Sequence, residues 1–152
     1  MGKKENLVIS LRRMQESDLP QVLEIEDKCF YVPWHNYGFL SAMESDSTCY
    51  LVAESQKKVV GYMGFSYALD EGDLCKIAVH PDMQRQGIGK EMLEQGIMTL
   101  KGLGVTHIFL EVRVSNEGAI ALYRQIGFQE IGIREHYYTQ PPEDALVMEW
   151  KV

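Results

Sequence analysis

Two residues in this chain have the types and positions that acid–base chemistry at an amine requires. Glu111 is a carboxylate inside the apolar segment 106–112, and Tyr123 is a phenol in the segment that follows. A carboxylate can remove the proton of an attacking amine, directly or through water, and a phenol can return a proton to a leaving group. Together they predict a base and an acid for a transfer reaction.

Each of these residues also has a purely structural interpretation. Strand alternation puts Glu111 on one face with Phe109 and His107, where a carboxylate costs free energy unless it is paired. Arg113 or Arg134 could supply that pairing.

The segment that carries Tyr123 is expected to be a helix that begins at Asn116, a natural N-cap. Ile120, Tyr123 and Ile126 are three residues apart and share one helix face, so Tyr123 could instead be a buried structural residue.

A glycine loop between a strand and a long amphipathic segment predicts an anion site. Gln84, Gly87 and Gly89 give the spacing Q-x-x-G-x-G. A loop that turns into a helix leaves the first backbone N–H groups free, and glycine allows a ligand close to them. With the positive end of the helix dipole, such a site suits a pyrophosphate. An ordinary helix start that contains glycine is the alternative.

Two common phosphate loops do not fit this segment. Met92 stands where the dinucleotide fingerprint needs its third glycine, and Glu91 follows Lys90 where the Walker loop needs Ser or Thr.

The apolar periodicity predicts the elements that must position these residues. Their order is strand, two helices, three strands, helix, strand, helix and two strands, which by itself defines only a mixed α/β class. The strands are expected at about 7–13, 49–53, 59–67, 74–79, 106–112, 128–138 and 145–150, and the helices at about 17–30, 36–43, 88–103 and 117–125. Residues 1–152 are expected to form one domain.

Composition and charge narrow the function. A net charge of −7 argues against general nucleic-acid binding and favours a basic partner such as a cationic peptide. We expect no membrane segment, since no apolar run approaches about 20 residues. The three cysteines form no C-x-x-C pair and the Lys3-Lys4-Glu5 start has no signal-peptide core, so a cytoplasmic location is expected. No metal site is expected, because the histidines have no suitably spaced ligand partners.

The glycine loop, the Glu111 strand and the pattern N-x-x-A-x-x-L-Y with G-F at 116–128 resemble the motifs of the GCN5-related N-acetyltransferases. The resemblance implies the fold of that family, a mostly antiparallel seven-stranded sheet flanked by about four helices. It also implies acetyl-CoA as cosubstrate, Glu111 as general base and Tyr123 as the acid that protonates the departing thiolate. The implied coenzyme contacts are Ile77, Ala78, Val79, Gln84, Arg85, Gln86, Gly87, Ile88, Gly89, Lys90, Asn116 and Tyr123.

Further segments resemble the RimI-type ribosomal-protein alanine N-acetyltransferases within that family, over about residues 7–150. They are Cys29-Phe30-x-x-Pro33-Trp34, Leu110-Glu111-Val112-Arg113, Arg134-x-x-Tyr137-Tyr138 and Glu143-Asp144-Ala145-x-x-Met148.

The resemblance to this group implies that Phe30, Pro33, Trp34 and Tyr138 border the acceptor. The implied acceptor is the N-terminal alanine of the eighteenth small-subunit ribosomal protein, which begins with a basic segment. Without the resemblance, Phe30 and Trp34 could be ordinary core residues. His35 departs from the Ser or Thr usual in the group, and Asn36 is expected to cap the next helix instead.

Two other functions remain open at this point. An acetyltransferase for protein lysines or small amines would use the same motifs. A coenzyme A-binding sensor without turnover should have lost Glu111 or Tyr123, and both are present.

Overall fold

The computed structural model describes residues 8–152. Eleven main elements follow one another, and 3-10 turns at Glu16–Asp18 and Pro81–Met83 precede the first and third helices. The elements are β1 (Ser10–Arg13), α1 (Leu19–Cys29), α2 (Asn36–Glu44), β2 (Thr48–Ser55), β3 (Lys58–Ala68), β4 (Glu71–Val79), α3 (Ile88–Gly102), β5 (His107–Arg113), α4 (Glu117–Ile126), β6 (Gln129–Thr139) and β7 (Pro142–Lys151). Their order confirms the order predicted from periodicity. The predicted first residue of β1, Leu7, lies outside the described residues.

The strands form one seven-stranded sheet in the order β1-β2-β3-β4-β5-β7-β6. Its two faces carry separate cores because successive side chains of a strand point to opposite faces. On β2, Leu51 packs with the α3 and α4 side chains, and the adjacent Val52 packs with α1 and α2. This arrangement confirms the predicted fold class. Among residues 8–152, no helix has the length and apolar content of a membrane span.

β4 and β5 are neighbours in the sheet for only part of their length. They run parallel and pair over Glu71–Asp73 and His107–Phe109, whereas every other neighbouring pair of strands is antiparallel. Beyond these residues the two strands separate. A register shift on the β3 side leaves Cys75 as the extra residue of β4, between Leu74 and Lys76. Such a bulge bends a strand and breaks its regular pairing.

Two predicted strand starts were too late. β4 begins at Glu71 rather than at residue 74, and β7 begins at Pro142 rather than at residue 145. Exposed polar residues such as Glu71 and Asp73 extend β4 without an apolar signal, since their pairing partners alone define them as strand.

The helix cap predicted at Asn36 was wrong, and the one predicted at Asn116 was right. Asp18 makes no capping bond to α1, because Arg12 donates to both of its carboxylate oxygens at 2.7 and 2.8 Å. That arginine lowers the pKa of the Asp18 carboxyl. The N-cap of α2 is His35 rather than Asn36. Asn116 does cap α4, since its Oδ1 accepts the Ala119 N–H at 3.2 Å.

β6 forms one edge of the sheet and pairs only with β7. Almost all of its residues are exposed. Its register shifts twice, between Glu130 and Gly132 and between Arg134 and Tyr138, and His136 has a positive φ of 55°. The strand therefore bends repeatedly along the hairpin that it forms with β7.

Replacing Gly64 with alanine should destabilise the protein by about 1–3 kcal/mol, the usual cost of overpacking. The new Cβ would lie inside the ring of Tyr50, which crosses β3 at this glycine. Urea denaturation measures the change in free energy of unfolding. Gly102→Ala is the control, because its Cβ would meet open space at the end of α3. Equal stability of the Gly64→Ala protein and the parent would show that the Tyr50 ring moves aside.

Candidate active site

The separation of β4 and β5 opens a cavity of about 830 Å³. Both strands, the loop after α1, the start of α4 and the β6–β7 hairpin contribute to its wall. The lining residues are Cys29, Phe30, Tyr31, Val32, Leu74, Cys75, Lys76, Ile77, Leu110, Glu111, Val112, Arg113, Asn116, Tyr123, Tyr137, Tyr138, Thr139, Gln140 and Pro141. The structure therefore brings Glu111 and Tyr123 to one space.

Glu111 lies on the open side of β5. Its neighbours Leu110 and Val112 are buried on the opposite face, whereas the Glu111 side chain is 22% exposed. Arg134 Nε lies 3.8 Å from Glu111 Oε1, which is beyond hydrogen-bond distance. Arg113 binds elsewhere, as described below. The carboxylate thus has a distant cationic neighbour and remains accessible to a substrate.

The Tyr123 ring is buried against Phe128, with 5.8 Å between the ring centroids. Burial, with a smaller effect of Tyr138, raises the pKa of Tyr123 to about 12. Its hydroxyl makes no hydrogen bond to another described residue. Every fully buried side-chain oxygen in residues 8–152 has a hydrogen-bond partner, so an oxygen without one is not fully buried. The hydroxyl is therefore open to the cavity as a protonated donor.

The glycine loop leaves a row of backbone donors free. Gly87, the N-cap of α3, has a φ of 79°, and Arg85 has a φ of 63°. The helix begins its own bonding with Glu91 N–H to Gly87 O, so the N–H groups of 88–90 have no acceptor within the described residues. Alternation of ordinary and left-handed backbone makes a concave anion site. This geometry fits the pyrophosphate that the sequence predicted.

The side chain of Gln84 fixes the loop to the end of β4, because its Nε2 donates to Val79 O at 3.0 Å. Of the predicted coenzyme contacts, three line the cavity itself, namely Ile77, Asn116 and Tyr123. Ala78 is buried, and the loop from Gln84 to Lys90 lies beyond the cavity wall at the start of α3.

Arg113 anchors the hairpin that closes one side of the cavity. It donates to Pro141 O at 2.8 Å and to Gln140 O at 2.9 Å, and it pairs with Glu143 at 3.2 Å. Its guanidinium carbon also lies 4.2 Å from the Tyr138 ring centroid. The predicted acceptor residue Tyr138 is thus held in place from β5.

The loop after α1 differs from the prediction in detail. Phe30 lines the cavity, but Pro33 and Trp34 do not, and Tyr31 and Val32 take that position. Trp34 packs behind the wall against Phe39, at 5.2 Å between ring centroids. A loop this short has no apolar periodicity that predicts which of its side chains face a cavity.

Sequence reasoning did not identify Lys76 as a cavity residue, since a lysine in a strand is usually solvated. Of the two cysteines on the wall, Cys29 donates to Val79 O at 3.4 Å, and burial raises the pKa of its thiol. A protonated, bonded thiol is a poor nucleophile. No group of three potential metal-binding side chains occurs within residues 8–152.

The fold and these residues define a class of acyl-transfer enzyme. Residues 19–128 match the family described as "Acetyltransferase (GNAT) family", and the chain belongs to this family. It is therefore an acetyl-CoA-dependent N-acetyltransferase.

Two relatives that match nearly the whole chain carry the same name. The ribosomal protein bS18-alanine N-acetyltransferase of Escherichia coli K12 is 38% identical over 141 residues, which cover 91% of this chain and 95% of the relative. That of Haemophilus influenzae is 35% identical over 141 residues, with the same coverage. The crystal structure of the E. coli ribosomal-protein-S18-alanine N-acetyltransferase superposes with a TM-score of 0.87 at 36% identity, over 95% of this chain and 94% of that one.

Gly89→Asp should abolish acetyl-CoA binding, because it places a carboxylate where the glycine loop is predicted to hold the pyrophosphate. An added Cβ has room, since its nearest neighbours would be Leu122 at 3.7 Å and Val79 at 3.9 Å. Gly89→Asn is therefore the matched control, with similar size and no charge. Isothermal titration calorimetry compares the two proteins. Equal affinity of the aspartate variant and the parent would place the coenzyme elsewhere.

Proposed function

We propose that this chain transfers the acetyl group of acetyl-CoA to the α-amine of an N-terminal alanine, and that ribosomal protein bS18 is its acceptor. The observation that carries the proposal is the joint position of Glu111 and Tyr123 on the cavity between β4 and β5. The shared name of the relatives supports the choice of acceptor.

Acetyl-CoA supplies an activated thioester, and the residues of this chain handle the protons. Glu111 removes a proton from the acceptor amine, directly or through water. Tyr123 donates its phenolic proton to the sulfur that leaves. Backbone N–H groups near Val79 polarise the thioester carbonyl in the manner of an oxyanion hole. In this scheme the amine attacks the thioester directly, so neither Cys29 nor Cys75 forms an intermediate.

An α-amine is the acceptor that this base can serve most easily. Its pKa of about 8 lies about 2–3 units below that of lysine, which near neutral pH corresponds to about 3–4 kcal/mol. Glu111 is the one carboxylate among the described residues that line the cavity, so the amine that needs the least deprotonation suits this site best.

Charge and space favour a basic peptide with a small first residue. The net charge of −7 attracts a cationic segment, and aromatic side chains of the α1 loop and of the β6–β7 hairpin line the cavity. We place the reaction in the cytoplasm, with no direct contact to nucleic acid or membrane.

Tyr123→Phe and Glu111→Gln should each lower kcat by about 10²–10⁴-fold, the usual effect of a positioned acid or base. Acetyl-CoA affinity should change little. Because the pKa of Tyr123 is raised to about 12, its proton is retained as pH rises, so kcat of the parent should show no loss from this group below about pH 11. Steady-state kinetics from pH 6 to 10 measure both effects.

Glu94→Gln is the control for these variants, since Glu94 is exposed on α3 away from the cavity. Parent-like turnover of both Tyr123→Phe and Glu111→Gln would show that the two roles are misassigned.

A peptide with a free N-terminal alanine and a basic segment should be acetylated on its α-amine. The same peptide with a blocked α-amine and an internal lysine should react little, and added salt should slow the reaction of the free peptide. Mass spectrometry with fragmentation locates the acetyl group. Equal or faster modification of the blocked peptide would support a lysine acetyltransferase instead.

A further inference from the structure

One carboxylate of α1 is completely buried and takes no part in the chemistry assigned above. Glu26 has no solvent exposure. It accepts hydrogen bonds from Lys76 Nζ at 2.6 Å, from the backbone N–H of Trp34 at 2.9 Å and from the Tyr62 hydroxyl. A buried ion pair adds little net stability on average, whereas removing one partner leaves a costly unpaired charge.

Lys76, the partner of Glu26, lies in an aromatic cage. Its Nζ is 4.3 Å from the ring centroid of Phe30, 4.2 Å from that of Trp34 and 5.9 Å from that of Phe39. Only 10% of the side chain is exposed. Aromatic cages of this kind bind cationic groups of ligands in other proteins, and here the chain supplies its own cation.

The cage opens on the cavity of the proposed reaction. Lys76 and Phe30 belong to the same wall as Glu111 and Tyr123, and the α1 loop beside them borders the proposed acceptor mouth. Lys76 reaches the cage from β4, where the bulge at Cys75 ends and Gly64 is its partner on β3. The lysine therefore fills space that a substrate side chain could otherwise enter.

We propose that Lys76, held by Glu26, determines which first residue the acceptor can have. By filling the cage it leaves room for a small first side chain, and by pairing with Glu26 it keeps that carboxylate from binding a cationic one. This inference rests on the proposed N-terminal acceptor, and it assigns Lys76 to specificity rather than to proton transfer.

Removing Lys76 should change the preferred first residue in a way that depends on Glu26. Lys76→Ala empties the cage and leaves the Glu26 carboxylate without its counter-charge. A peptide with lysine as its first residue should therefore be favoured. The double variant Lys76→Ala/Glu26→Gln empties the same cage and leaves no charged group beside it. A peptide with methionine as its first residue should therefore be favoured. The double variant also avoids an unpaired buried charge, so it carries the test if the single variant does not fold.

The experiment compares three basic peptides that differ only in the first residue, Ala, Met or Lys, and measures kcat/KM for α-amine acetylation. In Lys76→Ala the ratio of Lys to Ala should rise by about tenfold or more, and in the double variant the ratio of Met to Ala should rise similarly. Added propylammonium, a small cation that can take the place of the deleted lysine side chain, should restore the preference of Lys76→Ala for the Ala peptide. Lys101→Ala, on the exposed end of α3, is the control.

The outcomes separate this inference from the proposed function. If the parent acetylates the Ala peptide and folded variants keep the parental ranking, only the role of Lys76 is overturned. If the parent acetylates no α-amine, the proposed function fails and the inference fails with it. If neither variant folds, Lys76 is a structural residue and the inference is overturned.

Discussion

The site depends on the point at which the parallel pairing of β4 and β5 stops. The strands pair over three residues each and then separate, while β4 stays bonded to β3 and β5 to β7. Their facing edges therefore keep unpaired backbone donors and acceptors, which in a protein interior require partners. An extended ligand with amide groups of its own, such as the pantetheine arm of coenzyme A, meets that requirement. The same separation sets Glu111 and Tyr123 around one space.

Two polar anchors hold the walls of that space from opposite sides. Glu26 fixes the loop after α1 through the backbone of Trp34, and Arg113 fixes the β6–β7 hairpin through the carbonyls of Gln140 and Pro141. In both cases a charged side chain from a regular element binds the backbone of an irregular one. Loops next to a reaction centre gain a defined shape in this way without a core of their own.

The sequence predicted those parts of the structure that local patterns encode. The Asn116 cap, the alternation around Glu111 and the glycine loop each depend on neighbours within a few positions, and each has the expected local geometry. The cap predicted at Asn36 was wrong by one residue, since α2 begins after His35.

Contacts between distant segments were not predictable in this way. The bonds of Glu26 to Tyr62 and Lys76 span 36 and 50 positions. Helical spacing places Glu26 on the apolar stripe of α1, four residues after Val22 and three before Cys29, but the partners that stabilise a carboxylate there come from strands distant in the sequence. The family resemblance supplied the acceptor wall as a segment, but packing decided that Tyr31 and Val32 face the cavity while Trp34 supports it from behind.

The irregular course of β6 has a consequence for how the protein behaves in a crowded cell. A long, regular strand at a sheet edge is a template on which other chains can polymerise. The two register shifts of β6 and the left-handed residue His136 interrupt the row of outward donors and acceptors. This edge of the sheet is thereby protected from pairing with a strand of another chain.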